Sequence, residues 1–148
     1  MSTDTFTYDR EMPLPPDRMW HLLTSQEGRQ QWGAPEDGKT LDLLEADFSI
    51  GGTERHRCGP AEEPDFEVAT RWYNIAAPEA ATYTEVIEAG GMALGASLVT
   101  YAITPRGSGS HVLVTVAVSS FVGPEMIDEF RGGWDAGIQK IEALAAAG

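Results

Sequence analysis

Hydrophobic and polar positions change their period twice along this chain. At the start, Phe6 and Tyr8 alternate with Thr5, Thr7 and Asp9, which predicts a strand running to about Met12. Pro13-Leu14-Pro15-Pro16-Asp17 follows. Prolines suit a turn and a first helical position, and Asp17 favours the dipole of a first turn. Met19, Trp20, Leu22 and Leu23 then form the apolar side of a short helix, with Trp20 read as core. Thr24-Ser25 can cap a second short helix, with Glu27 in its first turn and its end near Trp32-Gly33. From residue 40 onward the period is two. Leu41–Phe48, Thr53–Cys58, Phe66–Ile75, Ala81–Glu88, Ala93–Thr104 and Ser110–Phe121 read as strands, with a loop tip at Gly59–Asp65. Gly51-Gly52, Gly59-Pro60, Ala77-Pro78, Gly90-Gly91 and Gly107-Ser108-Gly109 separate them. Turns this short imply an antiparallel meander rather than βαβ units.

The period changes again after Gly123. From Glu125 to Ala147, Ile127, Phe130, Trp134, Ile138, Ile141 and Leu144 recur every three or four residues, one face of a long amphipathic helix. Gly132, Gly133 and Gly137 sit inside it, each costing about 1 kcal/mol relative to alanine. Their sum, roughly 3 kcal/mol, is large against the about 5–15 kcal/mol that holds a small domain together. Two explanations stand: close approach of a sheet to the helix backbone, or space kept open beneath it. The predicted fold class is α+β: a seven-stranded curved antiparallel sheet wrapped around a long C-terminal helix, with two short helices after the first strand.

Composition narrows the function. The 148 residues suit one domain, residues 1–148, large enough to bury a core without disulfides. No run of 18 apolar residues occurs, so no membrane insertion is expected. The start, MSTDTFTYDRE, lacks the pattern of a secretory signal, and Cys58 is the only cysteine. The expected location is cytoplasmic. A formal net charge of -13 repels phosphate backbones, and Arg55-His56-Arg57 is too short a basic run to track one. Nucleic acid is therefore excluded as a partner.

Four segments carry a family resemblance: Pro15-Pro16-Asp17-Arg18-Met19-Trp20-His21-Leu22-Leu23-Thr24-Ser25, Asp47-Phe48-Ser49-Ile50-Gly51-Gly52, Tyr83-Thr84-Glu85, and Gly133-Trp134 followed by Ile138, Ile141 and Leu144. Together they resemble the branch of the START and birch-pollen-allergen (SRPBCC, helix-grip) superfamily named after the activator of the heat-shock-protein-90 ATPase. That resemblance implies a hydrophobic cavity under the last helix for lipids, steroids, polyketides or other apolar ligands. It also brings a chaperone partner and a role in stress response into view. Fold alone does not fix a chemistry. The chain departs from the family pattern in two places. Ser49 stands where the family usually has arginine, two residues after the motif aspartate. Glu54, His56 and Cys58 occupy inward strand positions that are usually apolar or aromatic.

Glu54 and His56 share one strand face about 6–7 Å apart, able to act as acid and base or to grip the polar end of a ligand. A register slip of one residue would exchange them for Arg55 and Arg57 and leave them in solvent. His21, His56 and His111 are too scattered for a metal motif, and His111 reads as a solvent-side strand residue. No nucleotide loop or nucleophile elbow is present, so neither cofactor nor metal is expected. The expected function is binding of a small hydrophobic or aromatic molecule. Its cavity would be walled by Trp32, Trp72, Tyr101, Phe130 and Trp134, with Glu54 and His56 supplying polarity. The molecule would enter beside Trp32 and the loops at Gly59–Asp65 and Gly90-Gly91. The same aromatics could instead fill the space solidly. The alternatives are a protein-interaction, co-chaperone-like module and, beyond that, a cyclase- or hydrolase-like enzyme using the same cavity.

Overall fold

The computed structural model describes residues 1–33, 39–60 and 65–148. In chain order the elements are β1 (Ser2–Met12), α1 (Pro16–Thr24), α2 (Gln26–Trp32), β2 (Lys39–Glu45), β3 (Thr53–Pro60), β4 (Phe66–Ala76), β5 (Ala80–Ala89), β6 (Met92–Arg106), β7 (Gly109–Ser120) and α3 (Pro124–Ala147). All strands join one open, curved antiparallel sheet in the order β1-β7-β6-β5-β4-β3-β2. Sequence neighbours pair throughout, as short turns require, except that β1 returns to pair with β7 from Ser2↔Ser120 to Met12↔Ser110. The predicted helix-grip architecture is therefore the observed one.

The core lies between one face of this sheet and the helices. Alternation puts Val112, Val114, Val116 and Val118 of β7 and Val99, Tyr101 and Ile103 of β6 inward, all buried. Against them α3 lays Ile127, Phe130, Trp134, Ile138 and Ile141, and α1 lays Met19 and Leu23. The 24 residues of α3 span about 36 Å, with Pro124 in its first turn. Its close approaches are to β1, β7, α1 and α2. The Tyr8 hydroxyl donates to Asp135 Oδ1 at 2.6 Å and ties helix to sheet at that side.

Most boundaries move by one or two residues, and two differences bear on the site. Strand β2 ends at Glu45, not Phe48, after a register shift between Leu43 and Glu45. The reason is the turn that follows. Ser49 N–H donates to the Asp47 carbonyl at 3.0 Å, and Gly52 N–H to the Ser49 carbonyl at 2.8 Å. The turn then docks on β4, Gly51 N–H donating to the Trp72 carbonyl at 2.7 Å. Gly51 has φ +82°, and a Cβ on Gly52 would stand 2.2 Å from the Asp47 carbonyl oxygen, so both positions require glycine. Phe48, freed from the strand, sets its ring edge-on to Trp72 at 4.7 Å. The second difference is that Gly59 and Pro60 extend β3, paired with Thr40 and Lys39, rather than forming a turn. Residues 61–64 of the expected loop lie outside the described residues.

A candidate binding cavity under the C-terminal helix

On the half of the sheet that α3 does not approach closely, a cavity of about 290 Å³ opens between β3, β4 and β5 below and α2 and α3 above. Its apolar wall includes Trp32, Leu41, Phe66, Val68, Ile87, Met126, Phe130 and Trp134. Trp32 and Trp134 meet with ring centroids 5.8 Å apart, so α2 and α3 join at an aromatic lip. Local sequence positions that lip. Ser25 caps α2 by accepting from Gly28 N–H at 2.9 Å, and the Trp32 indole N–H donates to the Leu22 carbonyl at 3.0 Å.

The polar groups cluster on the inner face of β3–β6. Glu54 and His56 point inward, each 2 % exposed, while the Arg55 and Arg57 side chains lie in solvent. The inward register is the one adopted. Arg29 of α2, itself buried, donates from Nη1 to Glu54 Oε1, and its guanidinium lies 5.4 Å from the centre of the Trp72 ring. Burial works against the Arg29 charge, and Glu54 more than restores it. Burial first, and then the Arg29 charge, lowers the His56 imidazole to about 4, which leaves it neutral at neutral pH. The Tyr83 and Tyr101 hydroxyls hydrogen-bond each other at 2.6 Å, and burial raises both phenols.

One cross-strand row is polar across β3–β6: Glu54↔Thr70↔Glu85↔Ser97, continued by Val118 on β7. Thr70 Oγ1 and Ser97 Oγ are buried without a hydrogen-bond partner among the described residues, as is Trp72 Nε1 nearby. Glu85, half-buried, lines the cavity. Burial raises its carboxyl, the Arg29 charge opposes that shift, and Glu54 adds to it.

Of the seven residues expected at the site, Trp32, His56, Phe130 and Trp134 line the cavity. Glu54, Trp72 and Tyr101 are buried in the adjoining core and do not. The aromatics thus divide, some walling the hollow and some filling the space beside it. Arg29 and Glu85 were not anticipated as site residues. A buried carboxylate at Glu54 demands a counter-charge, and Arg29 stands three residues before Trp32 on the same helical face, which is the signal for it. Glu85 is legible from the strand alternation that turns Tyr83 inward. The Gly90-Gly91 turn lies beside a separate polar hollow with Arg57, Asp65 and Glu88 rather than on the cavity wall. His111 pairs with Asp9 on the outer side of the sheet. Among the described residues no group of three or more His, Cys, Asp or Glu could hold a metal ion.

Two of the three glycines inside α3, Gly133 and Gly137, border this space. A Cβ on Gly132 or Gly133 would meet nothing within 4 Å, and one on Gly137 would touch Trp32 at an ordinary 3.6 Å. No sheet backbone presses on the helix at these positions, which rules out close approach as their cause, and Gly132 and Gly133 are exposed.

Solved structures share this architecture. The Mll3558 protein from Rhizobium loti is 24% identical, with TM-score 0.82 and 96% of each chain covered. A protein from Arthrobacter aurescens superposes with TM-score 0.83 at 16% identity, covering 100% of this chain and 92% of that one. Ara h 8.0201 gives TM-score 0.74 at 14% identity, covering 99% and 100%. At such identities the likeness is one of fold. No curated protein matches. The sequence itself, however, matches the family described as Activator of Hsp90 ATPase homolog 1-like protein over residues 13–146, nearly its whole length, and the chain belongs to that family.

Proposed function

We propose that this protein binds a small hydrophobic or aromatic molecule in the cavity beneath α3. The observation that carries the reading is a hollow of about 290 Å³ with aromatic walls, bordered on α3 by Gly133 and Gly137. Pockets for small molecules are concave, mostly apolar, and carry a few polar anchors. Arg29, His56 and Glu85 supply anchors here. An enzyme built on Glu54 and His56 is less well supported, because Glu54 is engaged by Arg29 and His56 is held neutral.

Paired helix variants test the reading. Gly133→Leu places a side chain at the cavity, whereas Gly132→Leu, with the same open space around it, places one outside. Both gain helix propensity of somewhat under 1 kcal/mol, so both keep or raise the melting temperature. Tryptophan fluorescence titration with aromatic and aliphatic compounds then discriminates. Binding weakened in Gly133→Leu and retained in Gly132→Leu supports the cavity, and equal binding in both removes it.

A chaperone-docking role is the second reading. The family description and the exposed side chains Leu44, Phe48 and Ile50, grouped where β2 ends, favour it. Titration of purified heat-shock protein 90 against the parent and a Phe48→Ser/Ile50→Ser variant tests it. No heat signal from the parent removes this reading.

A further inference from the structure

We infer that the cavity selects organic ammonium ligands, holding an apolar or aromatic body among Trp32, Phe130 and Trp134 and a protonated amine against Glu85. The inference rests on the ligand-binding reading and names the class of ligand.

Charge balance is the first argument. The inner face carries two carboxylates, Glu54 and Glu85, and one guanidinium, Arg29, which is already committed to Glu54. His56, facing the same space, adds no charge at neutral pH. Glu129 of α3 lines the cavity as well, so the excess there is negative. Glu54, Glu85 and Glu129 thus outnumber the single guanidinium of Arg29, which disfavours an anionic ligand. A cation completes the set.

Hydrogen-bond capacity is the second. An alkylammonium has three donors and no acceptor. Glu85 lines the cavity, and in register on either side of it stand the buried hydroxyls of Thr70 and Ser97, without a partner among the described residues. A protonated amine donating to the Glu85 carboxylate gives that group a partner inside the cavity, whereas Thr70 and Ser97 do not line it. Burial raises the Glu85 carboxyl against its ordinary value and the Arg29 charge offsets only part of that, so an adjacent cation relieves a cost already present. The aromatic rings add a third element. Ring faces attract ammonium groups, and Trp32, Tyr83, Phe130 and Trp134 all line the space.

Isothermal titration at neutral pH with phenylbutylamine, phenylbutanol and phenylbutyrate tests this. The bodies match and only the end group differs. We expect the amine to bind about tenfold more tightly than the alcohol, with the carboxylate weakest. Glu85→Gln should abolish the amine's advantage while the alcohol's affinity stays within about threefold. A Glu129→Gln variant, at the other carboxylate lining the cavity, should lose part of that advantage and serves if Glu85→Gln does not fold. An alcohol that binds as tightly as the amine, or a preference that survives Glu85→Gln, overturns the inference and leaves the cavity-binding reading standing. No binding by any of the three overturns both.

Discussion

Removing the charge of Glu54 is the sharpest test of how this interior is held together. Glu54→Gln keeps the side chain's size and one acceptor but strands the Arg29 guanidinium. The Arg29 and Glu54 side chains are 7% and 2% exposed, so water cannot replace the lost partner. Breaking a buried ion pair from one side costs about 3–5 kcal/mol. Two features set the value at the low end. The Trp72 ring faces the guanidinium at 5.4 Å, and the Glu85 carboxyl feels the same charge. A loss of about 3 kcal/mol is a large part of the about 5–15 kcal/mol typical of a domain. In a chain of this size it lowers the thermal midpoint by about 6–12 °C. Urea unfolding followed by tryptophan fluorescence should show the midpoint falling with the slope unchanged. An Arg29→Met/Glu54→Leu double variant removes both charges and should recover most of the loss, since apolar replacement of a buried pair is often neutral or stabilising. A single variant within about 1 kcal/mol of the parent would refute the reasoning, as would a double variant no more stable than the single.

Two further outcomes follow from the same cluster. His56 takes up its proton at about 4 in the folded protein against an ordinary 6.5, so the unfolded chain binds more protons between those values. Stability should therefore fall as pH drops from 6.5 toward 4, by up to about 3 kcal/mol from this residue. Denaturation across that range should show a flatter profile in His56→Gln, and an unchanged profile would count against the assignment. Thr70→Val exchanges a buried, unpartnered hydroxyl for a methyl group of similar size and should hold or raise stability by about 1 kcal/mol. A fall of that size in urea unfolding would show that the hydroxyl has a partner.

The architecture was legible because period and punctuation agree along the chain. Strand alternation, the prolines before α1 and the apolar stripe of α3 all state local preferences that packing then satisfies. Phe48 was misread because alternation carries on through it, while the Asp47–Gly52 turn is fixed by hydrogen bonds to β4, far away in sequence. The site was legible on its aromatic side, where Trp32, Phe130 and Trp134 announce themselves by size and spacing. Its charge arrangement was legible only in part: alternation turns Glu85 inward, but the pairing of Arg29 with Glu54 is not written in either segment. Arg29 sits in SQEGRQQW, a segment polar enough to read as a solvated helix, and only the third dimension brings it to Glu54. The polar row through Thr70, Glu85 and Ser97 depends on cross-strand register, which no single strand records.

Because β1 and β2 never meet, the sheet ends in two edge strands, and each would be a template for another molecule. The chain defends both. β2 is short, broken by its register shift and carries Asp42 and Glu45, while β1 carries Asp4, Asp9, Arg10 and Glu11. Acidic side chains dominate both margins, in keeping with the net charge of -13. On β1 these acids pair with Arg131, His111 and Arg106, so repulsion between molecules comes from the net charge of the whole surface. That defence is titratable. Near the isoelectric point, about pH 4.4, repulsion vanishes and edge-to-edge self-association is the expected route to precipitation.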